Sequence, residues 1–206
     1  MQQKTPQNQG IIYRQIRRED NEAIARVIRW TLEEFGANKP GTVYTDPTTD
    51  DLFSLFQAEK SVYYVATFNG EIIGGCGIYP TAELPANYGE LVKLYLSNAF
   101  RGKGIGKKLM EIAIAEAKNF GYEKLYLETM PELAMALQLY ESLGFEPLPN
   151  RLGASGHSAC PIWMLKDLGW CIVLIFIEQI LNYSYRINTT RNLSLSKDSK
   201  SENHFW

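Results

Sequence analysis

The sequence predicts an α/β (α+β) fold, in which a mixed sheet of about six or seven strands is flanked by about four helices on its two faces. Three observations support this prediction. Strand and helix patterns alternate along the chain. Two apolar runs flank an Asn-Gly pair, the strongest short signal for a β-hairpin. A strand, a glycine-rich turn and a helix follow one another in residues 91–118.

The first half of the chain gives the following elements in order. A strand is predicted over residues 11–17, and the helix that follows it ends at Gly36. After a loop of proline and polar residues, a short helix is predicted over residues 49–58. The hairpin strands are residues 62–68 and 71–79. The second of them contains three glycines, which predict a bulge or a bend: Gly74, Gly75 and Gly77.

The second half begins with the strand, turn and helix of residues 91–118. A further strand is predicted over residues 124–130, followed by a helix that begins at Pro131 and ends at Gly144. Two strands close the pattern, over residues 145–148 and 160–166. Since there is no internal repeat and no second periodic segment, we expect one domain over residues 11–168.

The turn Arg101–Gly106 has the composition of a phosphate-binding loop. Its glycines let the backbone turn tightly and let an anion approach the main chain. The first amides of the following helix are unpaired and lie at the positive end of the helix dipole, where anions bind. The spacing fits neither the mononucleotide loop nor the dinucleotide loop. The alternative is a plain strand-to-helix turn with solvated lysines.

Composition limits the class of partner and the compartment. A net charge of -2 gives no basic domain for nucleic acid, so we expect no nucleic-acid partner. The three cysteines form no metal-ligand spacing with either histidine, and we expect no metal. An odd cysteine count without a disulfide framework suggests a reducing compartment. Residues 1–10 have no apolar core for secretion, so we expect a loose N-terminus and a cytoplasmic protein.

The segment RGKGIG resembles the [QR]-x-x-G-x-[GA] pyrophosphate loop of the GNAT superfamily of N-acetyltransferases. GELVKLYLSNAFRGKGIGKKLM is similar to the central strand, loop and helix of that family, and ALQLYESLGF to its late, tyrosine-bearing helix. The resemblance covers about residues 11–168. It implies a GNAT-like, mostly antiparallel sheet whose central strand splays from its neighbour and admits the pantetheine of acetyl-CoA.

The resemblance also implies the residues that bind acetyl-CoA. The pyrophosphate would contact the loop, mainly through backbone amides: Arg101, Gly102, Lys103, Gly104, Ile105 and Gly106. Lys107 would reach the phosphates. The alternative, which is equally consistent with the sequence, is a lysine on a solvated face of the helix. The pantetheine would pair with the backbone near Leu94 and Leu96, where a strand amide can polarise the thioester carbonyl. Simple strand pairing is the alternative for these two leucines.

Two candidate catalytic residues follow from the same resemblance. Glu90 begins the central strand, at the position of the general base of histone-acetylating members, and an ammonium must lose a proton before it attacks a thioester. The alternative is a solvated glutamate at a strand end. Tyr140 matches the tyrosine that protonates the leaving thiolate, and a phenol can donate that proton at neutral pH. The alternative is an aromatic side chain of the core.

Three further positions carry weaker expectations. His157 lies between small residues in a loop, where a hydrogen-bonding role competes with a proton shuttle. Cys160 has no base beside it and is expected to be a buried, small apolar residue. Leu133 stands where many family members have an asparagine that contacts CoA, and this weakens the implied contact there.

The tail, residues 169–206, departs from the family pattern. Its apolar run, residues 171–177, is far shorter than the ~20 residues that cross a bilayer, so we expect no stable membrane insertion. The remainder is polar and is expected to be partly disordered and dispensable for the fold. The alternative is a short segment that lies at a membrane interface or forms a homodimer.

We therefore expect an acyltransferase that moves the acetyl group from acetyl-CoA to a primary amine by direct attack in a ternary complex. The alternative is a catalytically silent acyl-CoA-binding sensor or scaffold, and a third option is an unrelated phosphate-binding α/β protein. Fold does not choose the acceptor. The loops of residues 37–50, 81–89 and 150–159 would form the acceptor site. Acidic residues in and beside them permit a cationic acceptor, such as a polyamine, an aminoglycoside or a protein lysine: Asp46, Asp50, Asp51 and Glu83.

Overall fold

The computed structural model describes residues 10–169, and the expectations for the first nine residues and for the tail beyond Gly169 lie outside the described residues. The described helices and strands form one sheet with helices on both faces. The helices are α1 (Asn21–Glu34), α2 (Leu52–Leu55), α3 (Ile105–Asn119) and α4 (Ala134–Ser142). The strands are β1 (Ile11–Gln15), β2 (Val62–Phe68), β3 (Glu71–Tyr79), β4 (Tyr88–Leu96), β5 (Lys124–Thr129), β6 (Glu146–Pro147) and β7 (Ile162–Asp167).

The sheet confirms the predicted fold class. Its seven strands run in the order β1-β2-β3-β4-β5-β7-β6. Among the described strands, β4 and β5 form the one parallel pair, and the other neighbours pair antiparallel. The hairpin strands β2 and β3 have the predicted bounds, and Asn69 and Gly70 both take the positive φ values that a tight hairpin turn requires.

The core lies in two layers, one on each face of the sheet. Beneath α3 and α4, apolar side chains such as Leu109 and Met110 pack against β2–β5. Beneath α1 and α2, Ile24 and Ile28 pack against the opposite face with Leu52. Burying both faces explains why both sets of alternating residues in the central strand are largely apolar.

Two helices are shorter than the sequence predicts. Residues 49–58 were expected to form one helix, but Pro47–Asp51 is a 3-10 turn and only Leu52–Leu55 is α-helical. The Asp51 carboxylate accepts from the Ser54 amide and so starts the helix anew at Leu52. Likewise Pro131–Leu133 forms a 3-10 turn before α4 begins.

The bulge predicted in the glycine-bearing strand β3 is present. Ala66 pairs with Gly74 and Thr67 with Ile72, which leaves Ile73 as an extra residue.

A second bulge, which was not predicted, lies in β4. Gly75 pairs with Tyr95 and Gly77 pairs with Val92, so β4 carries one extra residue between these pairs. The extra residue is accommodated at Lys93, whose φ is +52°. The Tyr63 hydroxyl donates to the Lys93 carbonyl at 2.9 Å, so it reaches from β2 across β3 and holds the bulge.

Candidate active site

The sheet opens between β4 and β5. These strands pair only where Tyr88–Glu90 lies beside Lys124–Tyr126, and beyond Glu90 the ladder stops. The break lies three residues before the bulge at Lys93, and a bulge bends its strand. The predicted splay of the central strand is therefore present, and three cavities lie along it.

The first cavity is a groove of about 300 Å³ between the glycine-rich loop and α4. It contains seven of the predicted cofactor-binding residues: Leu94, Leu96, Arg101, Gly102, Gly104, Gly106 and Lys107. Phe35 forms part of its wall from the end of α1, and Leu133 and Met135 from the start of α4. Leu133 thus occupies the cofactor side of the site as an apolar wall, without the amide of the family's asparagine.

The loop has the backbone of an anion cradle. Gly102 and Gly104 have φ of +71° and +79°, which side-chain-bearing residues rarely adopt. Gly104 is also the N-cap of α3, and no side chain caps that helix. The first amides of α3 are therefore available at the positive end of the helix, and the groove gives access to them through Gly104 and Gly106.

The Arg101 side chain is held by the protein itself. Its guanidinium pairs with Glu34 at 2.8 Å, donates to the Leu96 carbonyl at 2.9 Å and lies 4.8 Å from the centre of the Phe35 ring. This agrees with the expectation that the loop would contact a pyrophosphate mainly through its backbone. Arg101 joins α1 to the end of β4 and thereby shapes the groove.

Two predicted loop residues have side chains directed elsewhere. Lys103 donates to the Ala99 carbonyl at 2.8 Å, and Ile105 is buried in the core under α3. Neither is among the residues that form the groove. Lys107 does border it, which leaves Lys107 as the basic side chain placed to meet a phosphate there.

The second cavity, of about 530 Å³, lies on the α1–α2 face. Three loops enclose it, and backbone hydrogen bonds tie them together. Ala159 donates to Gly41 at 3.0 Å, and Ala154 donates to Ala82 at 2.8 Å. Glu90, Val92 and Lys93 of β4 contribute to the walls of this cavity. These are the loops expected to form the acceptor site.

Of the loop acids, only Asp46 is among the residues that form this cavity. Asp50 pairs with Arg29 at 2.6 Å, and Asp51 accepts from Asn21 and from the Ser54 amide. Glu83 is exposed.

A buried charge network forms the cavity wall. The Lys93 ammonium, whose side chain is 3% exposed, donates to Asp46 Oδ2 at 2.6 Å and to Thr49 at 3.3 Å. His157 Nε2 lies 3.4 Å from the same Asp46 oxygen. Burial alone raises the pKa of Asp46, but hydrogen bonds from His157 and Lys93 outweigh it and hold that pKa well below its usual range. Burial lowers the pKa of Lys93, and Asp46 opposes that effect.

Glu90 is buried, with 3% of its surface exposed, so the alternative of a solvated strand-end glutamate is wrong. The Thr81 hydroxyl donates to its Oε2. Burial raises the pKa of Glu90 to about 7, and the Thr81 hydrogen bond opposes that rise. A carboxyl group with this pKa takes up and releases protons near neutral pH.

Tyr140 lies on α4 and is buried against Phe145. Burial raises its pKa well above the ordinary value for a phenol, so its hydroxyl keeps its proton at neutral pH. The ring belongs to the core, as the alternative interpretation expected, and the residue also borders a cavity, so its role as an acid stays a prediction.

The third cavity, of about 40 Å³, shares wall residues with each of the other two. It shares Leu94, Tyr95 and Leu133 with the groove, and Glu90 and His157 with the larger cavity. Tyr140 also lies on it. The structure therefore places the two candidate catalytic residues on one small space between the two larger cavities.

Some residues of the site were missed from the sequence. Lys93, Thr81 and Thr129 all border these cavities, and no motif marks them. A lysine within an otherwise apolar strand was the one available signal for Lys93. His157 is a hydrogen-bonding loop residue that also faces the larger cavity, and Cys160 is buried as expected.

Known proteins resemble this chain in sequence and in fold. Residues 24–145 match the Acetyltransferase (GNAT) family. The uncharacterized N-acetyltransferase YjgM of Escherichia coli (strain K12) is 41% identical over 162 residues, which cover 78% of this chain and 96% of that protein. Human N-acetyltransferase 8B is 33% identical over 142 residues, which cover 65% of this chain and 60% of that protein.

Two solved structures show the same fold. A GNAT-family acetyltransferase of Staphylococcus aureus Mu50 superposes with a TM-score of 0.68 at 21% identity, over 78% of this chain and all of that one. The PaiA N-acetyltransferase of Thermoplasma acidophilum, solved in complex with coenzyme A, gives a TM-score of 0.59 at 21% identity, over 77% of this chain and 99% of that one.

The family match and the seven-stranded mixed sheet agree on the class of protein. The chain belongs to the GNAT acetyltransferase family, and it is an acyltransferase. No helix within residues 10–169 combines the length and the apolar character that crossing a bilayer requires.

Proposed function

We propose that this enzyme transfers the acetyl group of acetyl-CoA to a primary amine by direct attack in a ternary complex. The observation that carries the proposal is the small cavity bordered by both Glu90 and Tyr140, which shares wall residues with the groove and with the larger cavity. A cofactor in the groove and an amine in the larger cavity would meet there. Holding both reactants in one geometry lowers the entropic cost of their reaction.

The groove fits the cofactor in shape and charge. The uncapped amides of α3 and the Lys107 ammonium suit a pyrophosphate, and Leu94 and Leu96 border an apolar path toward the small cavity. The unpaired edge of β4 beyond Glu90 can accept the amides of a pantetheine as an added strand would. The bound coenzyme A of the PaiA relative supports this assignment.

Glu90 is proposed as the general base. It borders both the larger cavity and the small cavity, so it can take a proton from an ammonium that enters through the larger cavity. With a pKa of about 7, Glu90 is protonated in acid and loses this capacity there. We therefore expect kcat/KM to decrease as the pH is lowered below about 7. This decrease should be absent from the pH profile of Glu90→Gln.

Tyr140 is proposed as the acid that protonates the leaving thiolate. Its raised pKa keeps it neutral, so the proton is present when the C–S bond breaks. Transfer without an acyl-enzyme is supported by Cys160, the cysteine at the small cavity. Burial raises the pKa of its thiol to about 12, which leaves almost no thiolate at neutral pH.

The test is free-thiol release from acetyl-CoA against a panel of amines and peptide N-termini. We expect turnover with at least one acceptor and a decrease on the order of 10²-fold in both Glu90→Gln and Tyr140→Phe. Glu83→Gln and Tyr88→Phe are the matched controls, because both residues lie outside the small cavity, and they should keep wild-type rates. Binding of acetyl-CoA without turnover of any acceptor would contradict the proposal.

A further inference from the structure

A residue that borders the small cavity carries a buried hydroxyl without a hydrogen-bond partner among the described residues. This hydroxyl belongs to Thr129, the last residue of β5, which is 2% exposed. A buried polar atom without a partner costs free energy, and such atoms are rare in folded proteins. In the described part of the chain, a side-chain nitrogen of Arg151 and one of Trp163 are also buried without a hydrogen-bond partner. Neither residue borders any of the three cavities.

Strand geometry places this hydroxyl on the Tyr140 side of the sheet. Side chains alternate between the faces of a strand, so Thr129 shares a face with Leu125 and Leu127. Those two leucines belong to the core cluster under α3 and α4, and Tyr140 belongs to the same cluster. Thr129, Tyr140 and Leu94 also border the same small cavity.

We propose that the Thr129 hydroxyl is a catalytic group that donates a hydrogen bond to the sulfur of the acyl thioester, beside Tyr140. This inference rests on the proposed function, which brings the thioester to the small cavity. When the amine nitrogen bonds to the acetyl carbon, the C–S bond breaks and its electron pair stays on sulfur. The nitrogen gives Glu90 the proton that the amide does not keep, after Glu90 has released the ammonium proton to solvent. Tyr140 gives the sulfur its proton and regains one from solvent, while Thr129 keeps its own and supplies only the hydrogen bond.

The contact would favour the transition state over the bound substrate. A thioester sulfur is a weak acceptor, whereas a thiolate sulfur is charged and accepts a much stronger hydrogen bond. Only an interaction that strengthens as the reaction proceeds raises kcat. Thr129→Val keeps the shape and removes the donor, so we expect kcat to fall about tenfold with little change in the KM for acetyl-CoA.

The deciding experiment needs no acceptor. Calorimetry at pH 9 compares binding of CoA with binding of desulfo-CoA, which lacks the sulfur, in the full-length wild type, Thr129→Val and Thr129→Ser. We expect the preference for CoA over desulfo-CoA to fall about tenfold in the valine variant and to persist in the serine variant, which keeps the hydroxyl. An unchanged preference in Thr129→Val would overturn the assignment.

Thermal unfolding without ligand separates this role from a structural one. Since the hydroxyl has no partner within residues 10–169, the valine variant should unfold at an equal or higher temperature than the wild type. A valine variant that unfolds earlier and keeps its preference for CoA would show a structural hydroxyl and overturn the inference. Failure of the wild type to bind CoA would contradict the proposed function itself, and this assignment with it.

Discussion

At the scale of single residues, the site depends on one carboxyl group kept away from water. Glu90 is buried at the end of the paired part of β4, where its charged form is unfavourable. The pKa of about 7 follows from that placement. The burial that raises this pKa also makes the ionised form of Glu90 destabilising for the fold.

We predict a measurable pH dependence of stability from this residue. As pH rises from 4.5 to about 7, the unfolded chain loses the Glu90 proton first, so the native state binds more protons and stability falls. Glu90→Gln removes the titration. The unfolding free energy of the variant relative to the wild type should therefore rise by about 3 kcal/mol between pH 4.5 and pH 8.

Urea denaturation at the two pH values measures this difference without any substrate. Glu83→Gln, at an exposed position, serves as the control and should follow the wild type. A variant-to-wild-type difference that is the same at both pH values would show that Glu90 titrates as an ordinary carboxyl group.

Sequence reasoning at this scale found the residues that sit in motifs. Glu90 and Tyr140 occupy family positions at fixed spacing from the loop, and the structure places both on one cavity. Lys93 could not be found in that way, because its burial depends on Asp46, 47 residues earlier in the chain. Contacts of this length are set by packing and carry no local pattern.

The buried ion pair predicts unequal costs for its two partners. Asp46→Asn removes the carboxylate that pairs with the buried Lys93 ammonium, which keeps its hydrogen bond to Thr49, and should cost about 3 kcal/mol or more of stability. Lys93→Met leaves the Asp46 carboxylate, whose side chain is 18% exposed and which keeps its contacts with Thr48 and His157. This variant should therefore lose less stability. Chemical denaturation of both variants tests the order, and a larger loss in Lys93→Met would contradict it.

At the scale of elements, the glycines of β3 make room for an aromatic side chain. A Cβ on Gly77 would lie 2.6 Å from the Tyr63 ring and 2.7 Å from the Phe56 ring. Tyr63 in turn holds the β4 bulge through the Lys93 carbonyl. The bare strand therefore supports the bulge, which lies next to the opening between β4 and β5.

Gly77→Ala should destabilise the protein by about 1–3 kcal/mol, because the methyl group overpacks this contact. Gly106→Ala is the matched control. Its Cβ would meet only Leu139 at 3.5 Å, and alanine favours the helix it sits in, so stability should hold or rise. Thermal unfolding compares the two. Equal effects would mean that Gly77 is not needed for the Tyr63 packing.

Local patterns predicted most elements but not all of their bounds. The hairpin could be predicted because Asn69 and Gly70 accept the positive φ of a tight turn. The helix after Pro47 was predicted too long, since apolar spacing does not distinguish a 3-10 turn followed by one α-turn from a continuous helix. The opening between β4 and β5 was expected from family resemblance alone.

At the scale of the whole molecule, the described sheet, helices and cavities all lie within the unit that ends at Leu168. Leu168 closes this unit, since it is buried in the core and its amide donates to the Glu123 carbonyl at 2.8 Å. We propose that residues 11–168 form the acetyltransferase domain and that the extension beyond them is not needed for the fold.

A pair of truncations tests this boundary. A chain that ends at Gly169 should keep its solubility, melting temperature and affinity for CoA. A chain that ends at Asp167 loses a buried leucine and should be less stable by about 2–5 kcal/mol. Loss of solubility or of CoA binding in the chain that ends at Gly169 would assign a necessary role to the residues after Gly169.

The central claim is that the acetyl group passes directly from acetyl-CoA in the groove to an amine in the larger cavity, within the small cavity that Glu90 and Tyr140 border. The most direct test is the initial rate of thiol release measured while acetyl-CoA and the best acceptor of the panel are both varied. Direct attack in a ternary complex predicts reciprocal plots that intersect, with no burst of thiol in the absence of acceptor. Parallel lines with an acceptor-independent burst would show a covalent acyl-enzyme and contradict the account.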